Sequence, residues 1–532
     1  MNVAGLLGAV ICLLVIGYFY YGKVLEGWFG VSQDKTPAYR LRDGLDYEPA
    51  PLSVLFGHHF ASIAGAGPII GPILAASYGW LGVLLWLVIG AIFAGGVHDM
   101  GAILASVKHE GRSIGELIRC YIRPEAQKVF LVFAWVTLVL IIAAFDVIVA
   151  KTFTHSPPVA TASVLFLLLA ILFGVLRRQG FPLLPLSILG VLGLGVAVWL
   201  GFHLPWKLPQ RTWQWILFVY VFIAGVTPVW ILLQPRDYLN AFLLYGLLGA
   251  GIVGAFVKHP SLKLPVFTGF TNELGPLFPI LFVITSCGAI SGFHSLVGSG
   301  TTAKQLSRET HARPIGYGAM LLETVLAVLA LLAVIILPWA DYQAMLKKAG
   351  PIGVFANGVG GFLGSLGIPV QKGIAFAALA VSAFALTSLD TATRVARFAL
   401  EELLPRDIAR KKGSLFLTTG ASVGFAAALA FTGSWRSIWP LMGTANQLLA
   451  ALALLALLAW LRFSRRFFAF VKWPAIFMLL VTLSALALIF LKSWGKNYLL
   501  VGLSFVLFFL ALYISRAGLF SQTPGRSPQS IL

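Results

Sequence analysis

Residues 57–72 read GHHFASIAGAGPIIGP, and this stretch decides what kind of fold the chain can have. It sits inside an apolar run at 52–77, long enough to cross roughly 30 Å of hydrocarbon as a helix. Gly65, Gly67, Pro68, Gly71 and Pro72 interrupt that run. Proline cannot donate a backbone hydrogen bond, and glycine weakens the helix around it. A break at membrane depth is tolerated only where protein or a wet cavity surrounds the freed backbone groups. Transporters bind solutes at such discontinuous helices. His58 and His59 strengthen this reading, because a histidine pair in hydrocarbon is costly without a partner or water. A kinked helix whose glycines merely permit close packing is the competing account.

The surrounding chain shares the same solvent. Of its 532 residues, 59% are apolar and 11% are Asp, Glu, Lys or Arg, whereas a soluble domain is charged at about a quarter of its positions. Apolar runs recur at 3–22, 52–77, 79–104, 127–150, 157–176, 183–203, 212–233, 238–257, 276–298, 315–338, 373–391, 413–431, 436–460, 473–491 and 497–515. These runs predict an all-α polytopic membrane protein with about fifteen spanning helices. The Gly-rich segment 351–369 is a further span, a re-entrant hairpin or a surface helix. The expected organisation is a first helix and polar cytoplasmic loop (1–51), a transport core with peripheral helices (52–460), two peripheral spans (461–515) and a flexible cytoplasmic tail (516–532).

The net charge of +19 would suggest nucleic acid in a soluble chain. Here it reads as topology. Most of the 38 Lys and Arg fall on alternate loops, with a dense cluster at Arg394, Arg397, Arg406, Arg410, Lys411 and Lys412. The positive-inside rule then puts the N-terminus outside and the C-terminus in the cytoplasm of a cell inner membrane. Met1 to Tyr20 has no basic leader or cleavage pattern and reads as a retained first helix. Cys12, Cys120 and Cys287 have no paired or metal-like spacing. No nucleotide-binding fingerprint is present, so any driving energy would come from an ion gradient.

A second interrupted run carries Thr285, Ser286, Cys287, Gly288, Ser291, Gly292, His294 and Ser295. If it is helical, Cys287, Ser291 and His294 share a face. Two polar, broken helices suggest repeats around a central site. The substrate-binding candidates are therefore His58, His59, Ser62, Gly65, Ala66, Gly67, Cys287, Ser291 and His294. The ion-coupling candidates are Glu323, Asp99, Asp390, Thr387 and Ser388. Glu323 lies deepest, and burial penalises a lone carboxylate's charge, so a proton is its natural partner. A structural hydrogen bond is the other reading. His58, His59, His98, Asp99, His294 and Asp390 would lie at a similar depth and could line one inward vestibule. Asp390 and Arg394 also fit a simple intrahelical ion pair, and Asp146 reads as a surface group near a helix end. Histidines with an aspartate are the ingredients of a transition-metal site, but no short ligand motif supports one; no metal or other cofactor is expected. Gly443, Asn446 and Gln447 suit helix packing and hydrogen bonding.

The ordered motifs carry a family resemblance. Residues 57–72, His98-Asp99, Ser291-Gly292-Phe293-His294-Ser295-Leu296 with Gly300-Thr301-Thr302, the run Thr387 to Arg394, and Trp439-Pro440 through Asn446-Gln447 resemble the carbon starvation protein A family. The resemblance spans most of the chain and implies a secondary transporter related to the amino acid, polyamine and organocation carriers. It implies a LeuT-like core of five plus five helices in inverted repeat, with extra peripheral helices. It further implies import of short peptides, or proton-coupled uptake of pyruvate or another small carboxylate. By the same resemblance Thr387 and Ser388 match a sodium-coordinating position, so the coupling ion is a proton or sodium. A channel or sensory scaffold and a membrane-embedded enzyme are the remaining classes.

Overall fold

The computed structural model describes residues 2–409, 413–433 and 435–520. Arg410, Lys411 and Lys412 of the basic cluster, and tail positions 521–532, lie outside the described residues. The described part of the expected tail is not irregular, because the last helix, Tyr498–Phe520, runs through it.

Twelve helices among the described residues are long and apolar enough to cross a membrane, or thirteen if the bent pair Leu52–Ile63 and Gly67–Tyr78 is one span. This corrects the count of fifteen. The other two expected spans are present in shortened form. One is the helix Gln210–Val226, of 17 residues. The other is a chain of pieces, Leu277–Ile284, Ser286–Ala289 and Gly292–Gly300. The interruption of the second was expected from its glycines and polar residues; the early end of the first, at Val226, was not. The first span is longer than expected: Val3–Phe29 stays helical until Gly30, whose φ of +64° ends it. Segment 351–369 begins as one limb of the helix Trp339–Gly364, set off by non-helical Gly350 and packed through buried Val354, Phe355 and Phe362.

Seven helices position the candidate groups. They are α1 (Leu52–Ile63), α2 (Gly67–Ala75), α3 (Trp80–Lys108), α4 (Leu233–Lys258), α5 (Gly292–Gly300), α6 (Ala319–Ile335) and α7 (Val370–Leu403). Between α1 and α2 the chain bends by 43°. Ala64 leaves the helical region with ψ of 55°, and Pro68 restarts the helix within its first turn, where its missing N–H costs nothing. The glycines here are steric necessities. A Cβ on Gly67 would stand 2.4 Å from Cys287 Sγ, and one on Gly71 would stand 2.3 Å from the Ile284 carbonyl oxygen. The two interrupted segments therefore pack directly against each other.

The second interruption is held open by side chains from the helix Trp435–Phe463. Ile290 and Ser291 are extended, with ψ of 131° and 128°. Asn446 Oδ1 accepts from the Phe293 N–H at 2.8 Å, its Nδ2 donates to Ser291 Oγ at 3.0 Å, and Gln447 Nε2 donates to the Ile290 carbonyl at 3.1 Å. These bonds satisfy backbone groups that a continuous helix would have paired internally. The face expected for Cys287, Ser291 and His294 does not exist, because the helix stops between Cys287 and His294.

Candidate functional site

Around the touching breaks, the expected polar residues separate into two buried clusters instead of one vestibule. The first joins α3, α5 and α6. His98 and Asp99 are adjacent on α3, with His98 Nδ1 2.7 Å from Asp99 Oδ1. The other Asp99 oxygen is 2.9 Å from His294 Nδ1 on α5. His294 Nε2 in turn lies 3.3 Å from Glu323 Oε2 on α6. That last contact is close but not aligned as a hydrogen bond, and neither Glu323 oxygen has a hydrogen-bond partner among the described residues. All four side chains are fully buried. His59 stands apart from this chain, with Nδ1 2.8 Å from Thr302 Oγ1. No Lys or Arg forms an ion pair with Asp99 or Glu323 among the described residues.

The second cluster joins α1, α4 and α7. His58 Nδ1 is 2.6 Å from Asp237 Oδ2. Arg236 pairs with both Asp237 and Asp390, and Tyr220 donates to Asp390. Arg236 Nη1 also reaches the Tyr220 hydroxyl at 2.6 Å. On its far side, His58 Nε2 is 3.4 Å from Gln305 Nε2, and Gln305 Oε1 accepts from Gln234 at 2.7 Å. Asp390 therefore pairs with Arg236 and not with Arg394, correcting the intrahelical reading. Arg394 and Arg397 both pair with Asp46 of the loop before α1, at 2.7 and 2.6 Å. Arg394 also holds the Ala224 carbonyl at 2.7 Å. Burial alone would raise the Asp46 carboxyl, but Arg397, Arg394 and Lys304 outweigh it and hold it down to about 2.

Hydroxyls tie α1 to α7 beside the first break. Ser388 Oγ donates to the Ser62 carbonyl at 3.0 Å, and Ser62 Oγ lies 3.0 Å from Thr391 Oγ1. A Cβ on Gly65 would approach Ser388 Oγ to 2.7 Å. Thr387 Oγ1 accepts from Asn240 at 3.2 Å. Ala66 is buried at the break. Cys287 Sγ lies 3.9 Å from Ser291 Oγ. Asp146 is fully buried and bonded to Gln214 at 3.1 Å, so its expected surface role is corrected. Among the described residues, no group of three or more His, Cys, Asp or Glu is arranged to hold a metal ion.

Sequence reading missed Arg236, Asp237, Tyr220 and Asp46. Arg236 and Asp237 looked like loop polarity between two apolar runs, whereas the structure extends α4 back to Leu233 and buries both. The usable signal was an Arg-Asp pair immediately after Pro235, flush with an apolar run and with no turn-forming residues beyond it.

With this arrangement in view, the comparisons are direct. The family model described as carbon starvation protein CstA matches residues 2–347 and 341–485. The chain belongs to the carbon starvation protein CstA family. It is 34% identical to the peptide transporter CstA of Escherichia coli, covering 94% of this chain and 82% of that one. It is 34% identical to the peptide transporter CstA of Bacillus subtilis, covering 86% and 84%. The pyruvate/proton symporter BtsT of E. coli is 33% identical, covering 85% of this chain and 76% of its own. Among solved structures, a manganese transporter of Eremococcus coleocola is similar with a TM-score of 0.54, covering 90% of this chain and 99% of that one. At 14% identity this likeness concerns the fold alone. The chain is thus a mostly helical, multi-pass membrane protein whose structural neighbours are membrane transporters.

Proposed function

We propose that this chain is a secondary transporter that imports short peptides by alternating access, with the proton as coupling ion. The observation carrying this reading is the Glu323–His294–Asp99–His98 chain packed behind the two touching breaks. Among the described residues two buried carboxylates share this space with two histidines and no Lys or Arg, an arrangement that can hold a proton between them. Neutral histidine both donates and accepts, which suits His294 to passing that proton between Glu323 and Asp99. The solute would contact the broken segments around Gly65, Ala66, Gly67, Cys287 and Ser291, where helix ends and freed carbonyls meet. His58, His59 and Ser62 line the same helix nearer its start. Similarity to peptide transporters favours peptides as cargo.

A second reading is proton-coupled uptake of pyruvate or another small carboxylate, favoured by the similarity to a pyruvate/proton symporter. Sodium coupling would use Thr387 and Ser388 beside the first break. The inverted-repeat core of five plus five helices, an inner-membrane location, and a cytoplasmic C-terminus belong to the same proposal, the last supported by the clustering of Lys and Arg on alternate loops. Reconstitution in proteoliposomes tests the whole reading. Labelled dipeptide should accumulate under an inward proton gradient and not under a sodium gradient. Accumulation of pyruvate alone would transfer the assignment to the second reading. Uptake of neither under either gradient would overturn both.

A further inference from the structure

A cleft of about 410 Å³ lies outside both buried clusters, between the end of the helix Pro157–Arg178, the segment leading into α1, and the start of α4. Its floor is apolar, made by Val54, Phe173 and Pro235, and its rim carries Arg42, Arg177 and Arg178. Glu48 pairs with Arg42 and is the one acid on this rim. Among the described residues Arg177 donates to the Phe181 carbonyl alone, at 3.0 Å. Arg178 stacks 3.9 Å above the Trp230 ring. Neither of these two guanidinium groups pairs with a carboxylate among the described residues, so the rim has an excess of cation and unused donors.

The position of the cleft says what would meet those donors. The helix carrying the two arginines has an exposed apolar flank, with Leu168 and Leu172 60% and 54% exposed, and its partner Leu183–His203 exposes Leu184 and Leu189 in the same way. Such a surface faces acyl chains. Arg177 and Arg178 follow it within two turns, where hydrocarbon gives way to headgroups, and Trp230 has the amphipathic ring that prefers that level. The junction is tightly built: a Cβ on Gly174 would stand 2.8 Å from the Trp230 carbonyl oxygen. We propose that this cleft is a binding site for an anionic phospholipid, whose phosphate is held by Arg177 and Arg178 while the first carbons of its acyl chains rest on Phe173 and Val54. A soluble anion would use the rim but gain nothing from the apolar floor. Gln234 also lines the cleft and is bonded through Gln305 to the His58 cluster. Lipid would therefore brace the first turn of α4 that carries Arg236 and Asp237.

Binding of phosphatidylglycerol to the purified full-length chain, followed by native mass spectrometry from detergent, tests this directly. Replacing both arginines, Arg177→Gln with Arg178→Gln, should weaken the apparent affinity on the order of 30-fold. The control Arg123→Gln with Lys128→Gln removes the same charge at the start of the preceding helix Pro124–His155, and should weaken it no more than about threefold. Equal loss in both variants, or no loss in the first, would overturn the proposal. Displacement of the lipid by soluble glycerol 3-phosphate at comparable concentration would mark a free-phosphate site and overturn the lipid assignment. Should the double variant fold poorly, Arg177→Gln alone, at an exposed position with one backbone contact, gives the same reading with a smaller shift.

Discussion

At Asp390 a fully buried carboxylate sits against a guanidinium and a phenol; at Glu323 an equally buried carboxylate has, among the described residues, a histidine as its one ion-pair contact. Both lie on spanning helices beside the broken pair, yet the surroundings ask different things of them. Arg236 is a permanent cation between Asp237 and Asp390, so its cluster is stable as ions and must be broken physically before α1, α4 and α7 can separate. Among the described residues the Glu323 cluster has no such cation, and in the proposed mechanism it is the one that takes up and releases the proton. Under the proposed function we read the first cluster as a gate and the second as the coupling site.

The largest expected effect comes from unbalancing the ionic cluster. Arg236→Ala leaves two buried aspartates uncompensated and should lower stability by about 3–5 kcal/mol, read as thermal unfolding of the detergent-solubilised protein. Wild-type stability in that variant would show that Arg236 is not the neutralising group. Glu323→Gln should do the reverse, leaving the fold close to wild type while cutting gradient-driven accumulation roughly tenfold or more and sparing solute exchange. Equal loss of accumulation and exchange would place Glu323 in solute binding or folding instead.

A third, outer group calibrates the comparison. Asp46, held down to about 2 by its arginines, has a folded value below the roughly 3.9 of an unfolded aspartate. Its contribution is therefore complete above about pH 4 and is lost as pH falls toward 2. Asp46→Asn should lower stability by about 2 kcal/mol, and the gap from wild type should stay constant between pH 5 and 8. A gap that narrowed across that window would mean another group titrates beside Asp46. At the small end, the exposed pair Arg40 with Glu110 should matter little, and Arg40→Ala should shift stability by less than about 1 kcal/mol. A larger change would show that the loop before α1 is braced from outside as well as by Asp46.

Much of the Glu323 cluster was legible in the sequence, because an acid or histidine inside an apolar run is conspicuous one residue at a time. The Arg236 cluster was legible only in part. His58 and Asp390 stood out, but Arg236 and Asp237 sit at the edge of an apolar run, where polarity is ordinary and resembles a loop. Local spacing misled at Asp390 and Arg394, one helical turn apart yet bonded to different partners, because residues distant in sequence competed better for each. It misled again across Cys287 to His294, since the break at Ile290 depends on Asn446 and Gln447 from a helix far along the chain.

By itself, the sequence determined that the chain is helical and lives in a membrane, that two of its apolar runs are interrupted, and that a few ionisable groups are buried. Those conclusions need only the length of apolar runs, the missing N–H of proline and the cost of charge in hydrocarbon. Only the tertiary structure decided that the two interruptions touch, that the buried groups form two clusters, and which charge answers which. Partner choice there depends on distances of a few ångströms between helices that are remote in sequence, and residue order along one helix contains no such distances.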